Sequence, residues 1–300
     1  FGGNLNMSYG QNNIILADDF NQRATAINNL WGTGAGSNGY GQSSTISSNS
    51  IGAVVPATDW ATVVNRLNSI TQHQTGAGAG LSAPSSGSII TYLAGIDTAI
   101  NNAITNKLTS FSTGSNVGVQ YGSTTSWFRT ATKTFTIAFG SDNQARYFFN
   151  SGGSIALVAN ACSITPTSWN SFVVTGLNAV VLKSGSFIHT GTVGTYTRNV
   201  YVSGSGFTSL TSTPTTFLDL TETGTGNTNY NNNVARVQLS YNGTGTITAS
   251  MILYDNDTNA FGYTNTGNVV ARIDTTNPEV TYITNTWGSL TITNTVNTQA

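Results

Sequence analysis

Thr134-Phe135-Thr136-Ile137-Ala138-Phe139 sets a large apolar residue at every second position and a small one between. A period of two belongs to a strand with one face in a core and the other in water. Arg236-Val237-Gln238-Leu239-Ser240-Tyr241 and Ser289-Leu290-Thr291-Ile292-Thr293 alternate in the same way. Further strands are predicted at 145–149, 155–159, 171–182, 196–202, 215–221, 246–254, 269–274 and 280–285. Clusters of Gly, Asn and Ser separate them, such as Asn150-Ser151-Gly152-Gly153 and Asn242-Gly243. Short strands with no helix between them predict an all-β antiparallel sandwich over 113–300, divisible near 160–200.

Upstream of residue 113 the period is helical. In Asp18–Trp31 the residues Phe20, Ala24, Ile27 and Trp31 share one helix face, with Asp18 as N-cap and Gly32 as stop. A second helix repeats the first. Ala57-Thr58-Asp59-Trp60 matches Ala17-Asp18-Asp19-Phe20, and Val64, Leu67 and Asn68 match Ala24, Ile27 and Asn28. Each copy runs into Thr-Gly-Ala-Gly, at 33–36 and 75–78. A duplicated unit of helix plus glycine loop is the simplest reading. A third helix is predicted from about 87 to 111. Its apolar residues Ile89, Leu93, Ile96, Ile100, Ile104, Leu108 and Phe111 approach a heptad seam. Either it is a core helix of the subunit, or the seam is an oligomer interface. With no comparably long helix to cover it, the interface is the expectation, and its isoleucines favour a homotrimer. The fold class expected is therefore α+β, with a helical anchoring and oligomerisation region over 1–112 ahead of the β-sandwich.

Composition narrows the function. Charged residues make up 7% of the 300, against roughly 25% in an average soluble protein. Hydrophobic residues still reach 38%, enough for a core. A net charge of −1 offers no footprint for nucleic acid. No apolar run reaches the ~20 residues of a membrane span, and no Sec-type signal is expected. The single Cys162 rules out an internal disulfide framework and reads as a small buried hydrophobe.

No catalytic signature stands out, and no cofactor is expected. Asp219 and Glu222 lie close together at a strand end before a glycine turn, where solvated acids are common. The two histidines, His73 and His189, have no Gly-x-Ser-x-Gly elbow to serve. Asp255, Asp257 and Asn259 resemble the start of a calcium loop, but Ala260 and Thr266 stand where glycine and glutamate belong. They form a weak metal candidate beside the simpler reading of an Asx turn. Tyr121, Trp127, Tyr230 and Tyr263 are either a platform for a host surface glycan or core residues.

Two segments resemble virion structural proteins of tailed bacteriophages. The first comprises Asp18-Asp19-Phe20-Asn21, Leu30-Trp31-Gly32-Thr33-Gly34, Gly39-Tyr40-Gly41-Gln42, Asp59-Trp60 and His73-Gln74-Thr75-Gly76. The second is Asn143-Gln144-Ala145-Arg146-Tyr147-Phe148-Phe149-Asn150-Ser151-Gly152-Gly153-Ser154-Ile155, read physically as strand, tight turn and strand. Its Arg146 is a rare charge, expected to pair across a subunit boundary. The resemblance covers roughly 15–160 and implies a neck, tail or fibre component without enzymatic activity, located in the virion. Its implied partners are copies of itself and other virion proteins, with no nucleic acid and no membrane insertion. The alternative is a bacterial cell-surface adhesin or carbohydrate-binding module.

Overall fold

Two short helices with matching apolar faces bury them against each other. In α1 (Ala17–Trp31) the buried residues include Phe20, Ala24, Ile27 and Leu30. In α2 (Ala57–Thr75) they include Trp60, Val63, Val64, Leu67 and Ile70. Phe20 and Trp60, the paired openings of the repeat, meet edge-on with ring centroids 5.3 Å apart. The duplication extends to the polar side. Asn28 in α1 donates to the carbonyl of Ile46 and accepts its N–H, both at 2.8 Å. Its counterpart Asn68 in α2 accepts the N–H of Ala79 at 2.8 Å and donates to the carbonyl of Leu81 at 3.1 Å. Each helix thus holds its following loop with one neutral amide, satisfying backbone groups that no strand supplies. Gly76 ends α2 in the left-handed conformation, φ 80°, its N–H on the carbonyl of Gln72.

The computed structural model describes residues 17–86, 93–121, 127, 129–160, 167–192, 196–200, 206–223, 232–256 and 267–299. The chain is α+β and divides into two compact units. One contains residues 1–114, 146–153 and 278–287; the other contains 115–145, 154–277 and 288–300. The helical unit therefore recruits two late segments that the alternation assigned to strands.

The third helix, α3 (Leu93–Thr105), ends six residues before the Phe111 expected, and residues 87–92 lie outside the described residues. It packs on both α1 and α2. Ile96 and Ile100 are fully buried, Ile104 and Leu108 half-buried. Leu108 and Phe111 lie beyond the helix, and Phe111 is exposed, its ring 5.8 Å from that of Tyr282. Ile89 and the side chain of Leu93 lie outside the described residues. The expectation of an uncovered seam is corrected at Ile96 and Ile100. The apolar faces of α1 and α2 cover them within one subunit.

The second unit is built on two antiparallel sheets. One has the order β1-β10-β3-β4-β5, with β1 (Thr113–Tyr121), β3 (Ser154–Ala159), β4 (Ala179–Leu182), β5 (Phe187–His189) and β10 (Ala271–Pro278). The other runs β11-β2-β9-β8-β7-β6, with β2 (Thr130–Ala138), β6 (Tyr196–Val200), β7 (Thr215–Glu222), β8 (Val234–Tyr241), β9 (Thr246–Tyr254) and β11 (Thr291–Gln299). Burial alternates strictly along β9, as half-wetted strands require. Phe187 of the first sheet and Phe217 of the second meet at 5.3 Å, so the buried faces share a core.

Three predicted strands are something else. Residues 145–149 lie in a helix, α4 (Asp142–Asn150). The Ser141 hydroxyl accepts the N–H of Gln144 at 3.2 Å, the first half of a Ser-x-x-Gln capping box. At the other end Gly153 donates to the carbonyl of Phe148 and Gly152 to that of Phe149, at 3.0 and 3.1 Å. Those two bonds make a Schellman cap, with Gly152 at φ 92°. Asn150-Ser151-Gly152-Gly153 is therefore a helix stop and not a hairpin. Residues 171–177 complete a short helix, α5 (Thr167–Ser171), and a π-helical turn, Phe172–Leu177; only β4 is strand. Residues 280–285 form no regular element.

Candidate functional site

The polar residues of the helical unit converge on one buried centre. Tyr40 follows a glycine loop that folds back on α1, its N–H on the carbonyl of Leu30 at 2.9 Å. Gly39 in that loop sits at φ 93°, where an added Cβ would strike the carbonyl of Thr33. The buried Tyr40 hydroxyl donates to the carbonyl of Lys107 at 3.0 Å and accepts from Gln74 at 2.8 Å. Gln74 also donates to the carbonyl of Ala103 at 2.9 Å.

His73 stands edge-on to Tyr40, ring centroids 5.1 Å apart. Its Nε2 is 3.2 Å from the carbonyl oxygen of Ser151, and its Nδ1 is 3.0 Å from Oε2 of Glu279. His73 and Glu279 are both buried. A carbonyl only accepts, so Nε2 carries a hydrogen. Nδ1 and Oε2 then need one hydrogen between them. The pair is neutral overall, whichever atom holds that proton, which suits a site shielded from water. Burial lowers the His73 pKa below its ordinary value, and the hydrogen bond and charge of Glu279 oppose this. Oε1 of Glu279 accepts the N–H groups of Thr281 and Tyr282.

Neutral amides complete the centre. Gln42 accepts the N–H of Thr284 at 3.1 Å and donates to its carbonyl at 2.9 Å, a side-chain imitation of strand pairing. Asn150 donates towards the carbonyls of Gly36, Asn38 and Gly39 at 3.0–3.3 Å. Arg146 donates to the carbonyls of Asn38 and Thr33, both at 2.7 Å. The fork of Arg146, expected to pair across a subunit boundary, is engaged by its own chain. A second buried pair, Arg23 of α1 and Asp97 of α3, closes at 2.6 Å.

Ser151, His73 and Glu279 have the composition of a catalytic triad but not its geometry. His73 meets the Ser151 carbonyl, not its hydroxyl, and all three residues are buried. A nucleophile needs its base on the hydroxyl and a path for substrate.

The other candidates are dispersed. Asp219 on β7 takes a two-pronged hydrogen bond from Arg236 on β8, 2.8 Å on each oxygen. Glu222, three residues on, points to the opposite sheet face. Glu222 is buried, and burial pushes its carboxyl up to about 7 from an ordinary 4.5. The folded state thus keeps a proton that the unfolded chain releases. Stability from this group is intact below about pH 4.5 and lost as pH rises through about 7. Glu222→Gln is expected to match the parent near pH 4 and to exceed it above pH 7 by on the order of 2 kcal/mol, read from urea unfolding at both pH values.

His189 donates from Nε2 to the carbonyls of Gly176 and Leu177 at 2.9 and 3.0 Å, pinning the π-helical turn. Trp127 is buried, 5.0 Å from Trp169, and cannot stack on a sugar. The side chain of Tyr121, together with Tyr230 and Tyr263, lies outside the described residues, as do Asp257, Asn259 and Cys162. Asp255 donates its N–H to the carbonyl of Arg129 at 2.8 Å. Among the described residues no three potential metal ligands cluster, and no helix is long and apolar enough to cross a membrane.

The buried centre was not legible as a site, because His73 and Glu279 are 206 residues apart in the chain. The resemblance motifs contain its other residues: Tyr40, Gln42, His73, Gln74, Arg146, Asn150 and Ser151. Compared with protein families, curated proteins and solved structures, the chain matches none of them.

Proposed function

We propose that this chain is a non-enzymatic structural subunit of a tailed-phage particle, in its neck, tail or a fibre. The supporting observation is the fate of the motif residues. Those that carry the phage resemblance form no ligand cradle. Tyr40, Gln42, Arg146 and Asn150 spend hydrogen bonds on backbone groups of other segments, and His73 and Gln74 on side chains of the same chain, the work of an architectural part. The poverty of charge supports the same reading, since a neutral polar surface loses little when buried against copies of itself.

The chain works as a homo-oligomer. Of the seam residues from which a trimer is expected, Ile96 and Ile100 are buried inside the subunit. Association belongs instead to surface that the subunit leaves open. Such contacts are apolar and hydrogen-bonded, so raising salt from about 0.1 to 1 M, which shortens the Debye length from ~10 to ~3 Å, is expected to leave the oligomer intact. Sedimentation velocity at both salt concentrations checks this. A monomer at either concentration, or release of reducing sugar from host polysaccharide, contradicts the proposal.

A further inference from the structure

The four sheet edges are guarded unequally. A strand edge presents unpaired N–H and C=O groups, and proteins blunt such edges with short strands, charges or proline. β5 is 3 residues long, and β6 is 5 residues long with an exposed Arg198. β11 is 9 residues long, Thr291-Ile292-Thr293-Asn294-Thr295-Val296-Asn297-Thr298-Gln299, without a charge or a proline. Among the described residues β2 is its one neighbour, and positions 295–298 are all exposed. β1 is equally long, but glycines at 114 and 118 make it a poor template for a fixed register.

We infer that β11 is an assembly edge that pairs antiparallel with β11 of a second copy of this chain. The outer backbone groups call for an extended strand. The sequence suits its own copy, because no register brings like charges together. One feature sets the centre. The β11–β2 ladder is broken by a bulge between Asn294 and Val296, with Thr295 as the extra residue. Bulges interrupt pairing, so a twofold axis at Thr295 leaves two regular halves. Residues 291–294 of each copy then face 296–299 of the other, and two six-stranded sheets become one. This inference rests on the reading of the chain as a self-associating subunit and names its contact.

Opposed residues in such a pair have Cα atoms about 4.5–5.5 Å apart, within the range of a disulfide. Thr295→Cys in a Cys162→Ser background, mildly oxidised, is expected to give a covalent dimer on non-reducing gels. Thr197→Cys on β6 is expected to give none. Separately, Thr293→Lys with Val296→Lys should weaken dimerisation at least tenfold by sedimentation, with an unchanged circular dichroism spectrum. Failure of Thr295→Cys to cross-link in a chain that sediments as an oligomer overturns the β11 edge and leaves the structural-subunit reading standing. So does an oligomer indifferent to the two lysines. A parent chain that sediments as a monomer at 100 times the concentration used for cross-linking overturns both.

Discussion

Glu279→Ala is expected to destabilise the protein by about 3–5 kcal/mol, the cost of breaking a buried polar pair from one side. The truncation removes the partner of His73 Nδ1 and also strands the N–H groups of Thr281 and Tyr282. Glu279→Gln is the informative companion. Its amide has the shape of the carboxyl, an NH₂ to donate to Nδ1 and an oxygen for the two N–H groups. Because the geometry requires one hydrogen between Nδ1 and Oε2, glutamine supplies it permanently. The variant is expected to stay within about 1 kcal/mol of the parent, inside the range of a single net hydrogen bond. Urea unfolding of the three proteins reads the difference. Equal losses for Gln and Ala would mean that an imidazolium–carboxylate charge pair holds the site, and not a shared proton.

Trp60→Ala is expected to cost a similar 3–5 kcal/mol, as large aromatic truncations in a core do. Trp60 is 1% exposed and joins α2 to α1 through Phe20. The same contact makes the paired substitution informative. Phe20→Ala with Trp60→Ala should lose less than the sum of the two single losses, because each removes the other's edge-on partner. Thermal or urea unfolding of the four proteins measures the coupling. Strict additivity would show that the two openings of the repeat do not support each other.

The repeat made α1 and α2 legible because their helical period, acidic first turns and glycine exits all agree. The same consistency located β2, β8 and β9. The α4 helix was missed because Arg146-Tyr147-Phe148-Phe149 is rich in strand-forming aromatics. The cap decides otherwise: Ser141 and Gln144 at one end and the two glycines at the other satisfy the helix ends, and the sequence carries both signals. Residues 280–285 were misread for a different reason. Val280-Thr281-Tyr282-Ile283-Thr284 alternates like a strand, but its backbone is taken by side chains. Glu279 binds the N–H groups of Thr281 and Tyr282, and Gln42 binds both backbone groups of Thr284. The Gln42 pairing spans 242 residues, which local pattern does not encode. The same holds at two positions of the expected oligomer seam: Ile96 and Ile100 do form an apolar stripe, but what covers a stripe is a question of tertiary structure.

These placements describe a chain that does with neutral amides much of what others do with charge. Asn28 and Asn68 bind backbone of the loop that follows their helix, and Gln42 and Asn150 bind backbone of distant segments. Few charged residues remain for its surface. The reading of this chain as a particle subunit is tested most directly by counting it. Virions purified through a density gradient from the producing host, and analysed by quantitative mass spectrometry, should contain this protein at a fixed copy number relative to the capsid protein. Its absence from the particles, with recovery from the host cell surface, would contradict the account.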